Sequence, residues 1–203
     1  MTHHPHNHLE QWLADEAAVK QRMDAGPGPG LATTEQIAGK TGLEVMQGLL
    51  RGELPYAHIA RTLDFTMVHV EKGLAVFQGH PQLAHFNPLG TVHGGWFATL
   101  LDSALGCAVH TMMPPGRGYT TAELSVNIVR ALTLKVPRVR AEGRVIHCGR
   151  QLATADARLV GPDGTLYASG GDGASFTFND YGQFGVPTNP CGDPPTAPGT
   201  ALG

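Results

Sequence analysis

The chain has 203 residues, of which 41% are hydrophobic and 15% are charged, and its formal net charge is −3 with His neutral. This length fits one domain with extensions rather than two full domains. Because the sequence has neither a basic excess nor a basic run, we expect no nucleic-acid partner and no attraction to an anionic membrane surface.

Residues 1–60 are predicted to form an N-terminal helical extension. The first ten residues are polar and do not resemble a secretory signal. A helix is predicted over residues 9–23, ended by the Gly/Pro linker at 25–30. A second helix is predicted from Thr34 towards Pro55. We expect both helices to pack on the main domain or at its oligomer surface.

Residues 61–179 are predicted to form the main domain. From Leu63 the apolar period changes to two, which indicates strands. Two strands joined by a turn at Lys72–Gly73 come first, then one long apolar helix, then four strands. The four are expected near residues 118–128, 138–145, 152–160 and 166–178, with a hairpin turn at 161–164. The glycine-rich run 169–173 favours a bulge over a place where a ligand passes close to the backbone.

The long helix, predicted over residues 94–113, is apolar nearly all round and must be enclosed. Asp102 and His110 interrupt it, and charge at mid-span is costly in lipid, so we interpret it as a buried helix of a soluble protein. An antiparallel sheet wrapped around this helix gives an α+β architecture, the hotdog fold. Such a sheet leaves an edge uncovered, which predicts a dimer. The tail, residues 180–203, is rich in Pro and Gly and is expected to be extended or disordered.

The segment before the long helix contains the first candidate site residues. Asn87 begins an irregular loop that ends in the triplet His93-Gly94-Gly95. Helix N-termini present unpaired N–H groups and a partial positive charge, so the Gly94 N–H could stabilise an oxyanion formed from a thioester carbonyl. A glycine-rich helix entry without function is the alternative.

Asp102 lies within the apolar helix, where desolvation should raise its pKa. It is either a structural acid or a general base or nucleophile at a cleft. Thr121, at the start of the third strand, could hold the attacking water or the acid, or it is simply a β-branched strand residue. Gly94 and Asp102 are separated by about 12 Å along a straight helix. If both act on one carbonyl, they must come from different subunits.

Taken together, Asn87 to Asp102, Thr121-Ala-Glu-Leu and the Gly149-Arg150 turn resemble the PaaI-like branch of the hotdog acyl-CoA thioesterases. The resemblance spans residues 63–178. It implies that Asp102 is the base or nucleophile and that Thr121 positions the water in the same subunit. It also implies that Asn87 orients the thioester or water and that Gly94 donates the oxyanion N–H, both from the partner chain.

The resemblance further implies that His93 and Gly95 belong to the substrate-binding part of the loop. It also implies that His93 holds the loop rather than acting as base. For the nucleotide end of coenzyme A, Arg150 after Gly149 could reach a phosphate. Other arginines are as well explained as solvated strand residues: Arg130, Arg138, Arg140 and Arg144.

Metal and disulfide chemistry have little support in the sequence. The cysteines Cys107, Cys148 and Cys191 are odd in number and scattered, which fits a reducing compartment and a cytoplasmic location. Four histidines near the start could bind metal, but no acid or cysteine completes a site, so no metal is expected: His3, His4, His6 and His8.

The sequence therefore predicts an enzyme that hydrolyses acyl- or aroyl-CoA thioesters, as a homodimer or a dimer of dimers. No cofactor is expected other than the coenzyme A of the substrate. Two alternatives stay open. A hotdog hydratase or dehydratase would pair His93 with Asp102, and the spacing disfavours it. A non-catalytic acyl-CoA-binding module could lose the acid, whereas Asp102 is present.

Overall fold

The computed structural model describes residues 8–179 of the chain. The predictions for residues 180–203 and for His3, His4 and His6 therefore lie outside the described residues. The helices are α1 (Leu9–Asp24), α2 (Thr34–Ile37), α3 (Gly42–Leu50), α4 (His58–Thr62) and α5 (Gly94–His110). The strands are β1 (Phe65–Glu71), β2 (Leu74–Gly79), β3 (Gly118–Glu123), β4 (Val126–Ile128), β5 (Val139–Cys148), β6 (Leu152–Val160) and β7 (Leu166–Asn179).

The strands form one antiparallel sheet in the order β1-β2-β5-β6-β7-β3, with β4 paired to β7. Helix α5 packs against every strand of this sheet, so the sheet curls around it. This is the α+β hotdog architecture that the sequence predicts. Across residues 8–179, no helix has both the length and the apolar character that a bilayer crossing requires.

The core lies between α5 and the concave face of the sheet. The inward side chains of α5 are fully enclosed: Leu100, Leu101, Ala104, Leu105, Ala108 and Val109. Gly143 of β5 lets the helix come close, because a Cβ there would lie 2.3 Å from the Ala104 carbonyl oxygen. The missing side chain at Gly143 thus sets how deeply α5 sits in the sheet.

The third predicted strand is two strands in the structure. Thr121 of β3 pairs with Phe176, whereas Val126 of β4 pairs with Gly170. Between these pairs β7 contains a bulge, where Gly171 has a φ of +100° and donates its N–H to the Ser125 carbonyl. The predicted bulge in the glycine-rich run is therefore confirmed, and it is the reason that a single strand over 118–128 is wrong.

The N-terminal extension differs from its prediction in two respects. Helix α1 has the predicted position, but the second predicted helix is divided into α2 and α3. Thr33 and Thr41 each begin a helix with a capping box, paired with Gln36 and Glu44 respectively. The second cap starts a new helix instead of continuing the first. The short α4 was not predicted from the sequence.

The extension packs on both sides of the β1 edge of the sheet. Helix α1 lies on the outer face, where Gln78 of β2 donates to the Trp12 carbonyl and to Glu16. Helix α3 lies against β1 and α5. The N–H of Gly42 donates to the Met113 carbonyl at 2.9 Å, just beyond the C-terminal end of α5. The extension therefore contacts the sheet and the central helix together.

Candidate active site

Asp102 and Thr121 lie in contact, although they belong to different elements. The Thr121 hydroxyl donates to Asp102 Oδ1 at 3.0 Å, and both side chains are half-buried. Burial raises the pKa of Asp102, and the hydrogen bond from Thr121 opposes part of that rise. The contact joins α5 to β3, an edge strand of the sheet, so it forms where the curled sheet meets the helix.

Asp102 lines a largely apolar pocket of about 250 Å³, here called the Asp102 pocket. Its walls come from the two edges of the sheet, from α5 and from the extension: Met23, Leu49, Leu50, Tyr56, Ala57, Ile59, Ala60, Phe65, Thr66, Met67, Phe77, Asp102, Ser103, Cys107 and Tyr119. Residues of β1 and of β3, the two ends of the strand order, line the same space beside α5.

The other reactive groups beside Asp102 are poor nucleophiles. Burial, together with the nearby Asp102, raises the pKa of Cys107 to about 12, so its thiol stays protonated at neutral pH. Burial also keeps the Tyr119 phenol neutral, with its pKa well above the usual value. The Ser103 hydroxyl donates to the Thr99 carbonyl within the helix. Asp102 is thus the group in this pocket suited to act as a base or nucleophile.

Asn87 organises the loop before α5. Its side-chain oxygen accepts from the backbone N–H groups of Leu89 and Thr91, at 2.9 and 3.3 Å, and its amide donates to the Thr91 hydroxyl. These contacts close a compact turn in which Gly90 has a φ of +83°. The Asn87 side chain is therefore already engaged with its own loop, which the sequence reasoning did not foresee.

The triplet at the start of α5 divides its roles among three residues. His93 is the N-cap, and its Nδ1 accepts from the Gly95 N–H at 2.9 Å. His93 therefore holds the helix start, which agrees with the supporting role implied by the resemblance. Among residues 8–179 no acceptor receives a hydrogen bond from the Gly94 N–H. Of the three backbone N–H groups in the triplet, the one of Gly94 is therefore available to bind a ligand atom.

Gly94 lies in a second pocket, here called the Gly94 pocket, which is separate from the Asp102 pocket. It is lined by Asn87, Thr91, Val92, Gly94, Phe97, Ile128, Val129, Arg130 and Ala131. Gly94 and Asp102 occupy the same helix, so about 12 Å separates them. The chain brings Asp102 together with Thr121, and Asn87 together with Gly94, but it does not bring the two pairs together.

Gly149 and Arg150 form the tip of the β5–β6 hairpin. The Gly149 N–H donates to the Leu152 carbonyl at 2.8 Å, and Arg150 is exposed. Leu152 pairs with Thr177, which in turn pairs with Thr120 beside Thr121. Two strand spacings, roughly 10 Å, therefore separate this end of the hairpin from the β3 residues at the candidate site. That distance lies within reach of an extended substrate.

Sequence reasoning missed the contribution of the extension to the Asp102 pocket. Leu50, Tyr56 and Ile59 line the pocket, and Tyr119 borders it from β3. The apolar stripe of the second predicted helix indicated burial, but it did not identify the surface that the helix covers. Arg130 is exposed, as expected for a solvated residue, but it lies in a bend after β4 and lines the Gly94 pocket.

Part of the chain is similar to a known superfamily of proteins. Residues 89–168, which include α5 and most of the following strands, match the model of the thioesterase superfamily. No curated protein sequence matches the chain. The family match includes Gly94, Asp102 and Thr121, while Asn87 lies just before it.

Solved structures show the same fold. A phenylacetic acid degradation-related protein of Ralstonia eutropha is 26% identical, with a TM-score of 0.59, over 64% of this chain and 97% of its own. The phenylacetic acid degradation protein PaaI of Thermus thermophilus is 26% identical, with a TM-score of 0.52, over 59% and 96%. A thioesterase of Staphylococcus aureus, 19% identical with a TM-score of 0.56 over 61% and 99%, is alike in fold. The resemblance to PaaI-like hotdog thioesterases is confirmed.

Proposed function

We propose that this protein hydrolyses acyl- or aroyl-CoA thioesters, with Asp102 as the general base or the nucleophile. The observation that carries the proposal is a half-buried carboxylate, hydrogen-bonded to Thr121, at a largely apolar pocket. Its pKa is raised by burial, which makes the carboxylate a stronger base than a solvated one.

Water supplies the oxygen in the proposed reaction. With Asp102 as base, the carboxylate takes a proton from water, and the hydroxyl oxygen adds to the thioester carbonyl. The tetrahedral oxyanion then collapses, the C–S bond breaks, and the coenzyme A thiolate leaves and takes up a proton. With Asp102 as nucleophile, the carboxylate attacks the carbonyl, the C–S bond breaks and the coenzyme A thiolate leaves as an acyl–carboxylate anhydride forms, and water then cleaves the anhydride to release the acid and the Asp102 carboxylate. Coenzyme A enters as part of the substrate, and we propose no other cofactor.

The oxyanion is proposed to be stabilised by the Gly94 N–H of a partner chain in a dimer. The open donor at a helix start supports this role, because such groups carry partial positive charge. The distance of about 12 Å between Gly94 and Asp102 within one helix also supports it. Asn87 contributes by holding the loop that leads to Gly94.

The coenzyme A part of the substrate is proposed to extend along the end of the sheet towards the tip of the β5–β6 hairpin. Arg150 at the hairpin tip supplies a cation for a phosphate of coenzyme A, and its exposure leaves it able to bind one. Two relatives are named for phenylacetic acid degradation, which supports an acyl or aroyl thioester as the substrate class.

The first experiment compares Asp102→Asn with Ser103→Ala. We expect Asp102→Asn to reduce thiol release from a panel of acyl-CoAs by about 10³-fold or more, because the base is lost while the shape is kept. Ser103→Ala alters the neighbouring pocket residue, whose hydroxyl is used within the helix, and should retain activity. Unchanged turnover by Asp102→Asn would overturn the assignment.

A further inference from the structure

We infer that the N-terminal extension completes the acyl-binding pocket, and that this pocket selects a neutral apolar acyl group of moderate size. The inference rests on the proposed function, because it assigns the substrate part that lies next to Asp102. Residues of the hotdog sheet and of the extension share the pocket, so neither part of the chain encloses it alone.

The pocket connects Asp102 with the extension. Asp102 and Tyr119 mark the side where the thioester reacts, and Phe65 of β1 forms a wall. Leu50 at the end of α3 and Ile59 of α4 provide a surface from outside the sheet. An acyl group bonded to a carbonyl beside Asp102 would therefore extend towards α3 and α4.

The chemistry of the lining favours an uncharged acyl group. Of the fifteen lining residues, Asp102 alone is charged. Two of the polar hydroxyls are already engaged, since Thr66 donates to Met23 Sδ and Ser103 donates to the Thr99 carbonyl. A second carboxylate on the acyl group would lose its hydration, find no cation in the lining and lie near Asp102. The pocket should therefore reject dicarboxylic acyl groups.

The volume limits the size of the acyl group. A dry cavity of about 150 Å³ holds a benzene molecule, and pockets for drug-sized ligands begin near 300 Å³. The Asp102 pocket, at about 250 Å³, lies between these values. It is larger than the space that a benzene ring needs, so it fits a phenyl ring with a short linker.

Two substitutions in the extension test the pocket from opposite directions. Leu50→Ala removes volume from a half-buried side chain of the lining, and Ile59→Trp adds volume at a position that is 48% exposed. Ile146→Trp on β5 is the matched control, because Ile146 is 61% exposed and is not among the lining residues. None of the three positions belongs to the proposed catalytic groups.

The measurement is kcat/KM of the full chain across neutral acyl-CoAs of increasing length, with dicarboxylic thioesters of equal length beside them. We expect Leu50→Ala to move the optimum to longer chains and Ile59→Trp to shorter ones. Each should change the ratio of long to short substrates by about tenfold or more, as a methylene or two in an apolar pocket does. Ile146→Trp should keep the wild-type profile, and dicarboxylic thioesters should be poor substrates throughout.

Binding separates a failure of the pocket from a failure of the proposed reaction. If the wild type cleaves thioesters but both extension variants keep its length profile, the pocket assignment is wrong. If the wild type cleaves none, calorimetric affinity for the same acyl-CoAs is compared instead. If affinity depends on acyl-chain length and both variants shift that dependence, the pocket is supported and hydrolysis is overturned. If both variants keep the wild-type dependence of affinity on chain length, the pocket assignment is overturned.

Discussion

The hydroxyl of Thr121 opposes the effect of burial on the pKa of Asp102. Burial raises the pKa of this carboxyl, and the hydrogen bond from Thr121 lowers it. Thr121→Val keeps the branched shape but removes the donor, so the pKa should rise further. Because the proposed reaction needs the carboxylate, kcat/KM falls as pH drops through that pKa. The acid limb of the pH profile should therefore move to higher pH.

We also expect kcat/KM of Thr121→Val to fall by about tenfold at and below neutral pH, since hydrogen bonds to charged groups contribute about 1.5–3 kcal/mol. Thr121→Ser keeps the hydroxyl, so its kcat/KM and the pH position of its acid limb should match those of the wild type. The measurement is the pH dependence of kcat/KM with one acyl-CoA. A limb that moves to lower pH, or a serine variant that behaves like valine, would contradict the role of the hydrogen bond.

At the scale of single residues, the sequence indicated Asp102 and Thr121 correctly as neighbours. It could do so because an acid in an apolar helix needs a partner and the family pattern supplies one. The contacts of Asn87 could not be predicted, because they depend on how one turn closes on Leu89 and Thr91. The contribution of Ile59 to the pocket was also hidden, since it arises from packing between distant segments.

Helix α1 is fixed to the sheet by a buried polar cluster. Glu16 is 5% exposed, accepts from Arg138 at 2.6 Å and from Gln78 at 2.9 Å, and pairs with Lys20. Burial alone would raise its pKa, but the hydrogen bonds from Arg138 and Lys20 outweigh it and hold the pKa below the usual range. The carboxylate is thus stabilised in the folded state.

Glu16→Ala should destabilise the protein by about 3 kcal/mol, because it leaves Arg138 without its carboxylate partner and Gln78 with the Trp12 carbonyl as its remaining acceptor. Glu53→Ala, which breaks the exposed pair with Arg51, is the control and should cost less than about 1 kcal/mol. Urea unfolding followed by tryptophan fluorescence measures both, since Trp12 lies on α1. Equal losses in the two variants would show that the buried cluster does not fix α1.

The pH dependence of this cluster follows from the direction of the shift. Since the folded pKa of Glu16 is depressed, its contribution to stability is present above the ordinary value of 4.5. That contribution is lost as pH falls through the folded pKa. The difference in unfolding free energy between wild type and Glu16→Ala should therefore be largest near neutral pH and shrink below pH 4.5.

At the scale of elements, periodicity predicted α1, α5 and most strands, because each has one clear apolar pattern. It joined α2 with α3 and β3 with β4, because the breaks are local. The Thr41 cap starts a new helix, and the bulge at Gly171 interrupts the ladder. Each of the new elements contributes to a pocket: Leu50 of α3 lines the Asp102 pocket, and Ile128 of β4 lines the Gly94 pocket.

At the scale of the whole molecule, the exposed apolar side chains favour association. Leu89 is 88% exposed, Val129 is 62% exposed and Ile128 is 46% exposed, and the last two line the Gly94 pocket. Among residues 8–179, strand β3 ends the sheet beside Asp102, and end strands of sheets can pair with a second chain. A second copy of the chain that covers these groups could place its Gly94 near the Asp102 of the first. This dimer stays a prediction.

Mixing two inactive variants tests the composite site. Asp102→Ala removes the base, and Asn87→Ala removes the acceptor of the Leu89 and Thr91 N–H groups and so loosens the loop that leads to Gly94. If each site takes Asp102 from one chain and Asn87 from the other, a mixed dimer contains one intact site and one doubly altered site. Random exchange of equal amounts should then restore about a quarter of wild-type activity. If each site lay within one chain, no mixed dimer would contain an intact site, and the mixture would stay as inactive as its parents.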